Sequence, residues 1–317
     1  MKAAVVREAG HSPILADFAE PAAEPGEVIV EVAAAAVSPL ARGRARGSHY
    51  SVAGGFPFVA GVDGVGHLAD GRRVYFALPR APFGAIAERV PVPAAQCVEV
   101  PDGLDDVAAA ALANPAMSSF AALTERAVLR PGETVLVNGA TGTAGRLAIG
   151  IARHLGAGRV IATGRNAVAL ATLGADETLA IPADDGALDA RLREIFAGGV
   201  DVVLDYLWGR TAERLLVAAA RAKREDRPVR FVQIGAASGG EITLPGAALR
   251  AAPIALMGSG IGSVPAPRLL ASVAAAFAAA GPAGLAVETV TAPFADVERA
   301  WNAETGSARL VLLGDRA

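Results

Sequence analysis

The chain has 317 residues, 53% of them apolar, and 29 basic against 32 acidic residues give a formal net charge of −3. That length suffices for two domains, and the weakly acidic balance offers no electrostatic footprint for nucleic acid. A single cysteine excludes an internal disulfide and fits a reducing cytoplasm.

At the start, Lys2, Arg7 and Glu8 stand where an export signal would need an apolar core, so no export is expected. Residues 28–32, 73–76 and 85–90 are short β-prone runs among Pro- and Gly-rich turns at 21–26 and 53–57. Few helical stretches interrupt them, so the first 112 residues predict a β-rich domain. Two uncharged stretches, 107–124 and 269–287, approach membrane-span length. Both are rich in alanine and broken by Asn114-Pro115 or Gly281-Pro282, which predicts core helices and no membrane partner.

The most informative segment comes next. Pro131-Gly132-Glu133 reads as a turn, 134–138 as a buried strand and 146–155 as a helix with Leu147, Ile151 and Leu155 on one face. Between them lie Gly139, Ala140, Thr141, Gly142, Thr143, Ala144 and Gly145. This is the dinucleotide fingerprint Gly-x-Gly-x-x-Gly with Ala140 in its first place. Glycine permits the tight turn, and a helix starting near Thr143 would aim its free N–H groups and positive dipole end at a pyrophosphate.

A second strand, 159–163, ends at Gly164-Arg165-Asn166, where the adenosine ribose of a dinucleotide is expected. An NAD site wants an acid there, and none precedes Asp176. Arg165 instead suits a 2′-phosphate, which selects NADPH as cofactor. The competing reading is one more solvated arginine, since every basic residue except Lys2 and Lys223 is arginine. Further β-prone runs at 177–181, 201–205, 230–235 and 254–259 alternate with helical stretches such as 188–196 and 212–222, predicting an α/β doubly wound, parallel six-stranded sheet. Ligands cross the carboxyl ends of such strands, so Gly235 and Ser259 are nicotinamide-side candidates, with turn formation as their alternative.

No metal is expected: Cys97, His11, His49, His67 and His154 have no paired spacing. Cys97 reads as a small buried hydrophobe. A short-chain reductase would need Tyr-x-x-x-Lys, which Tyr50, Tyr75 and Tyr206 all fail to provide.

Taken in order, Pro25-Gly26-Glu27-Val28, Ser38-Pro39, Gly61-Val62-Asp63-Gly64, Gly71-Arg72-Arg73-Val74, Phe83-Gly84-Ala85, Pro101-Asp102-Gly103-Leu104, Pro131-Gly132-Glu133-Thr134-Val135 and the glycine loop resemble the medium-chain dehydrogenase/reductase superfamily, in its zinc-free quinone oxidoreductase branch. The resemblance implies a GroES-like catalytic domain from 1–112 and 264–317 around a Rossmann NADPH-binding domain at 113–263. Zinc-bearing relatives carry a Gly-His-Glu triplet where this chain has Gly61-Val62-Asp63. The branch often shows Asn-Pro-x-Asp where Ser38-Pro39-Leu40-Ala41 stands. Asp63 then either orients a barrel loop or is structural. The resemblance also places Ser118 by the nicotinamide ribose, with capping of a following helix as its alternative, and makes the last sheet strand a homodimer seam.

Without zinc, reduction of a quinone, enone or other activated alkene needs only a proton donor and placed hydrogen bonds. The resemblance makes Tyr50 that donor, with His49 as alternative; packing of Tyr50 against Phe56 and Phe58 is the competing reading. The expected protein is a cytoplasmic NADPH-dependent oxidoreductase of a small-molecule substrate. A zinc-free carbonyl reductase or alcohol dehydrogenase and a non-catalytic NADPH-binding protein are the alternatives.

Overall fold

Runs of small and β-branched apolar residues build the first strands. Lys2–Val6 (β1) exposes its lysine and buries Ala3, Ala4, Val5 and Val6, pairing antiparallel with Ile14–Asp17 (β2) and Phe58–Val59 (β4). These are strands of a computed structural model that describes residues 1–47, 55–222 and 227–314. Between them, Glu27–Ala36 (β3) is long enough to serve two neighbours: its first half pairs with Arg89–Pro93 (β7) and its second with Asp63–His67 (β5). The register shifts between Val32 and Ala34, and a Cβ on Gly66 would stand 2.1 Å from the Glu31 carbonyl, so only glycine fits there. Arg73–Ala77 (β6) and Cys97–Glu99 (β8) extend the sheet.

One expectation for this region is corrected. Residues 85–88 do not continue one strand into β7: Ala4 N–H donates to the Ile86 carbonyl and Ile86 N–H to that of Ala60, so the segment bridges the small sheet before Arg89 joins β3. Ser38-Pro39 opens a short helix, Pro39–Ala45 (α1), where the Ser38 hydroxyl accepts from Ala41 N–H at 3.0 Å and proline takes the first helical position.

Asp106–Ala121 (α2) contains Pro115 within it and runs on as a π turn over Ala122–Arg126. The expected break at Asn114-Pro115 is absent, because proline removes one helical donor while the buried apolar face of α2 still favours the helix. Asp106–Arg126 is the one helix among the described residues long and apolar enough to cross a membrane, and 67% of its apolar window is buried in the protein.

The parallel sheet follows. Thr134–Asn138 (β9) leads to Thr143–His154 (α3), Arg159–Gly164 (β10), Ala167–Ala171 (α4), Glu177–Ala180 (β11), Asp185–Ala197 (α5), Val202–Asp205 (β12), Gly209–Arg221 (α6), Val229–Gln233 (β13), Gly246–Ala251 (α7) and Ile254–Gly258 (β14). The strand order is β11-β10-β9-β12-β13-β14, all parallel. Order reverses between β9 and β12, and the carboxyl ends there form the crevice in which doubly wound sheets bind ligands. Leu136, Ile161, Val203 and Phe231 pack beneath it with Leu192, Phe196 and Leu216 from the helices.

Ala266–Ala279 (α8) then leads to Thr289–Pro293 (β15), the short helix Val297–Ala300 (α9) and Arg309–Leu313 (β16). β16 pairs with β15 and β3, so the chain's end completes the sheet begun near its start. The chain divides into two units, 1–114 with 273–278 and 286–317, and 115–272 with 279–285. The first boundary lies inside α2 and the return lies inside α8.

Candidate cofactor site

At the end of β9 the chain turns at Gly139, whose φ of +92° favours glycine, and both Gly139 and Ala140 N–H donate to the Thr163 carbonyl. Thr141 and Gly142 follow, and Gly142 stands in extended conformation as the N-cap of α3 with no side chain capping the helix. The first-turn N–H groups of Thr143, Ala144 and Gly145 therefore have only the helix start to serve, the arrangement an anion requires. Gly145 lies against the loop so closely that a Cβ would approach the Gly139 carbonyl to 2.3 Å. Arg146 folds back, its Nε donating to the Thr141 carbonyl at 3.0 Å.

The neighbouring strand end presents the second half of the predicted site. A Cβ on Gly164 would sit 3.0 Å from the Thr141 methyl, so the end of β10 lies against the glycine loop. Arg165 is exposed and makes no hydrogen bond or ion pair among the described residues. Asn166 is committed to the fold: its side chain caps α4 by accepting from Ala169 N–H at 3.0 Å.

On the other side of the switch point stands the run Asp205-Tyr206-Leu207-Trp208-Gly209, whose aromatic residues the sequence leaves either bordering the site or packing. Asp205, fully buried at the end of β12, accepts from the Asn138 amide at 2.7 Å, from Leu207 N–H at 3.0 Å and from Trp208 N–H at 3.2 Å. Burial raises its pKa, while the N–H groups of Leu207, Asn138 and Trp208 act to lower it. Trp208 has φ +58° and ψ −160°, a conformation that costs a non-glycine residue on the order of 1–3 kcal/mol. Its ring packs edge-on against Phe231, with centroids 6.4 Å apart.

Tyr206 is partly buried, its hydroxyl 2.7 Å from that of Ser119, and burial raises its pKa. Ser119 was missed because nothing in its local sequence sets it apart from Ser118. Ser118 itself lies within α2 and donates to the Pro115 carbonyl at 2.8 Å, so it caps no following helix. Gly235 donates its N–H to the Asp205 carbonyl, and a Cβ there would lie 2.7 Å from the Tyr206 carbonyl. Ser259 is buried and donates its N–H to the Gln233 carbonyl at 2.8 Å, while its hydroxyl makes no hydrogen bond among the described residues. His49 and Tyr50 lie outside the described residues.

A cleft of about 340 Å³ lies at the opposite, amino ends of the parallel strands, between Arg130, Glu133, Asp201 and Arg230. Its charges serve the fold: Arg230 pairs with Glu133 at 2.6 Å, and Asp201 accepts from Thr134 N–H. At the carboxyl ends, by contrast, the uncapped α3 start and the turn after β12 gather backbone donors.

In the strand-rich unit, Asp63 is buried on β5 and accepts from the Tyr75 hydroxyl at 3.1 Å. Its pKa is pushed up to about 6 by burial, against the opposing influence of Arg309 and of the Tyr75 hydrogen bond. Arg309 is itself buried, with Nε and Nη2 unpartnered. Burial also pushes the Cys97 thiol up to about 11, which suits a packing role and not a nucleophile.

A family profile described as zinc-binding dehydrogenase matches residues 144–278. A protein of Emericella nidulans named "Probable NADPH-dependent quinone reductase tdiC" is 31% identical over 95% of this chain and 96% of its own. A 2-haloacrylate reductase of a Burkholderia species is 33% identical over 53% of this chain and 54% of its own. Among solved structures, the quinone oxidoreductase of Thermus thermophilus, studied also in complex with NADPH, is 30% identical, covers 99% of this chain and 100% of its own, and superposes with a TM-score of 0.79. The zinc of the profile's description does not fit these residues: among the described ones no three His, Cys, Asp or Glu side chains gather to hold a metal. The cradle of a dinucleotide does fit, on the uncapped α3 start and the contact between Gly145 and Gly139.

Proposed function

Because the chain belongs to the medium-chain dehydrogenase/reductase superfamily, in its quinone reductase branch, we propose that it is an NADPH-dependent, zinc-independent oxidoreductase that reduces a quinone, an enone or another activated alkene. The observation that carries this reading is the pairing of an uncapped helix start behind the glycine loop with an unengaged Arg165 at the end of the adjacent strand. The loop from Gly139 to Gly145 receives the pyrophosphate, and Arg165 receives the 2′-phosphate that distinguishes NADPH from NADH. Gly164 keeps that side of the crevice open, Asn166 shapes it by starting α4, and Ser118, Gly235 and Ser259 belong to the nicotinamide side.

NADPH, when bound, supplies a hydride. For an enone, addition of hydride to the β carbon and a proton to the α carbon gives the saturated ketone. Tyr50, with His49 as alternative, supplies that proton. The strand-rich unit is the GroES-like catalytic domain and the parallel-sheet unit the cofactor domain. Named relatives that act on a quinone and on 2-haloacrylate support an electron-poor double bond as the acceptor.

The edge strand β14 exposes Leu256, with 38% of its surface accessible, and we place a homodimer contact there. The lone thiol supports a cytoplasmic setting, and the net charge of −3 supports a small-molecule substrate over nucleic acid or an anionic membrane. The test is NADPH oxidation by the purified protein against quinones, enones, enals, enoyl thioesters and simple ketones, with products identified. Hydroquinones or saturated carbonyl products are expected. Alcohol from a simple ketone would replace this reading with carbonyl reduction, and NADPH binding without consumption across the panel would replace it with a non-catalytic role.

A further inference from the structure

Asn138 is 1% exposed and makes three side-chain hydrogen bonds, each to a different neighbouring element. Its amide donates to Asp205 Oδ1 on β12 at 2.7 Å and to Thr211 Oγ1 on α6 at 3.0 Å, and its Oδ1 accepts from Thr163 Oγ1 on β10 at 2.8 Å. Its backbone carbonyl accepts from Tyr206 N–H at 3.1 Å. One side chain thus ties together the strand ends on both sides of the switch point. Asp205 carries the tie onward, since its carboxylate gathers the N–H groups of Leu207 and Trp208 and holds the turn in which Trp208 is strained.

That turn is in contact with the other loops of the crevice. A Cβ on Gly139 would lie 3.0 Å from the Leu207 side chain, and Gly235 packs on the Tyr206 carbonyl. Strained backbone persists only where its surroundings over-determine it, and here the buried carboxylate does so. A carboxylate removed from water is an expensive way to stabilise a turn, and apolar residues of similar volume often serve stability as well. What an apolar pair could not do is specify one spacing between the glycine loop, the β10 end and the 206–208 turn, because only directed hydrogen bonds define that geometry.

We propose that Asn138 and Asp205 are positioning residues that hold the glycine loop, the β10 end and the turn after β12 at the spacing that NADPH requires. The inference rests on the NADPH reading above. Neither residue is assigned contact with the cofactor; each acts through the loops it holds.

The test exchanges the two groups. Asn138→Asp sets a second carboxylate against Asp205, with no amide between them. The double exchange, Asn138→Asp with Asp205→Asn, restores one amide and one carboxylate. The new carboxylate accepts from the new amide and from the Thr163 and Thr211 hydroxyls, and the amide carbonyl, in the place of Asp205 Oδ2, still accepts from Trp208 N–H, while the bond that Oδ1 accepts from Leu207 is given up. NADPH dissociation constants from nucleotide fluorescence, kcat and KM for NADPH with a quinone, and Tm are measured for parent, single and double variants.

The single variant is expected to raise the NADPH dissociation constant and KM about tenfold or more, and the exchange to recover part of that loss, since it restores the tie to Asn138 but not the Leu207 bond. A merely structural pair would lower Tm while leaving the affinity of the folded protein unchanged. The proposal is overturned by a folded Asn138→Asp that binds NADPH as the parent does, or by an exchange that binds no better than the single variant. Should Asn138→Asp fail to fold, Thr163→Val removes one bond of the same tie at constant shape, and unchanged NADPH affinity there overturns the proposal equally. A parent that binds no NADPH removes the cofactor reading itself, which separates the two failures.

Discussion

A Cβ on Gly145 would stand 2.3 Å from the carbonyl oxygen of Gly139, closer than any side chain can approach backbone. Helix α3 begins in contact with the loop that precedes it, and this contact keeps its N–H groups facing the crevice. Gly145→Ala is expected to force α3 away from the loop. Overpacking of this kind costs about 1–3 kcal/mol. Tm should fall accordingly, and NADPH affinity, measured on the folded protein, should fall by about tenfold or more.

Arg165 is exposed, with no partner among the described residues, at the end of β10. If it reads the 2′-phosphate, Arg165→Ala should weaken NADPH far more than NADH, by about tenfold or more in the ratio of dissociation constants. An equal loss for both nucleotides would defeat the assignment.

Tyr50, outside the described residues, carries the proton-donor role by resemblance. Tyr50→Phe should lower kcat by about 100-fold or more, the contribution of a placed acid, while NADPH affinity stays near that of the parent. Unchanged turnover would return Tyr50 to packing, and His49→Gln would then test the alternative donor.

Asp63 gives a pH dependence with a definite sign. Its pKa rises on folding from an ordinary 3.8 to about 6, chiefly through burial. The fold therefore prefers the protonated acid, and this contribution to stability is present below about pH 3.8 and is lost as pH rises toward about 6, a loss on the order of 3 kcal/mol. Asp63→Asn keeps an acceptor for Tyr75 without the charge. The parent should lose Tm between about pH 4 and 6.5 relative to this variant, and parallel Tm profiles would refute the reading.

Leu256 lies exposed on β14, the edge strand of the parallel sheet. Leu256→Lys should shift the proposed homodimer toward monomer in light scattering at micromolar concentration, since an edge charge opposes strand pairing. A parent that is already monomeric would remove the dimer assignment.

How much of this was legible beforehand varies from residue to residue. The turn at Gly139, the start of α3 and the end of β10 at Arg165 were readable because the signals are local: β-branched strand, glycine, apolar helical spacing. Pro115 misled, because helix-breaking is a local penalty and burial of α2 outweighs it. The run 85–90 misled because which strand a segment pairs with depends on sheets formed from distant parts of the chain.

Sequence by itself determined the alternation of strands and helices in the parallel-sheet unit, the glycine loop and the basic residue beside it. Each depends on residue type at short range. Tertiary structure decided the rest of the site. Asn138 meets Asp205 across 67 positions of chain and Ser119 meets Tyr206 across 87. No local pattern marks an asparagine, an aspartate, a serine or a tyrosine for such a partner, because buried hydrogen bonds are settled by which strand ends the folded sheet brings side by side.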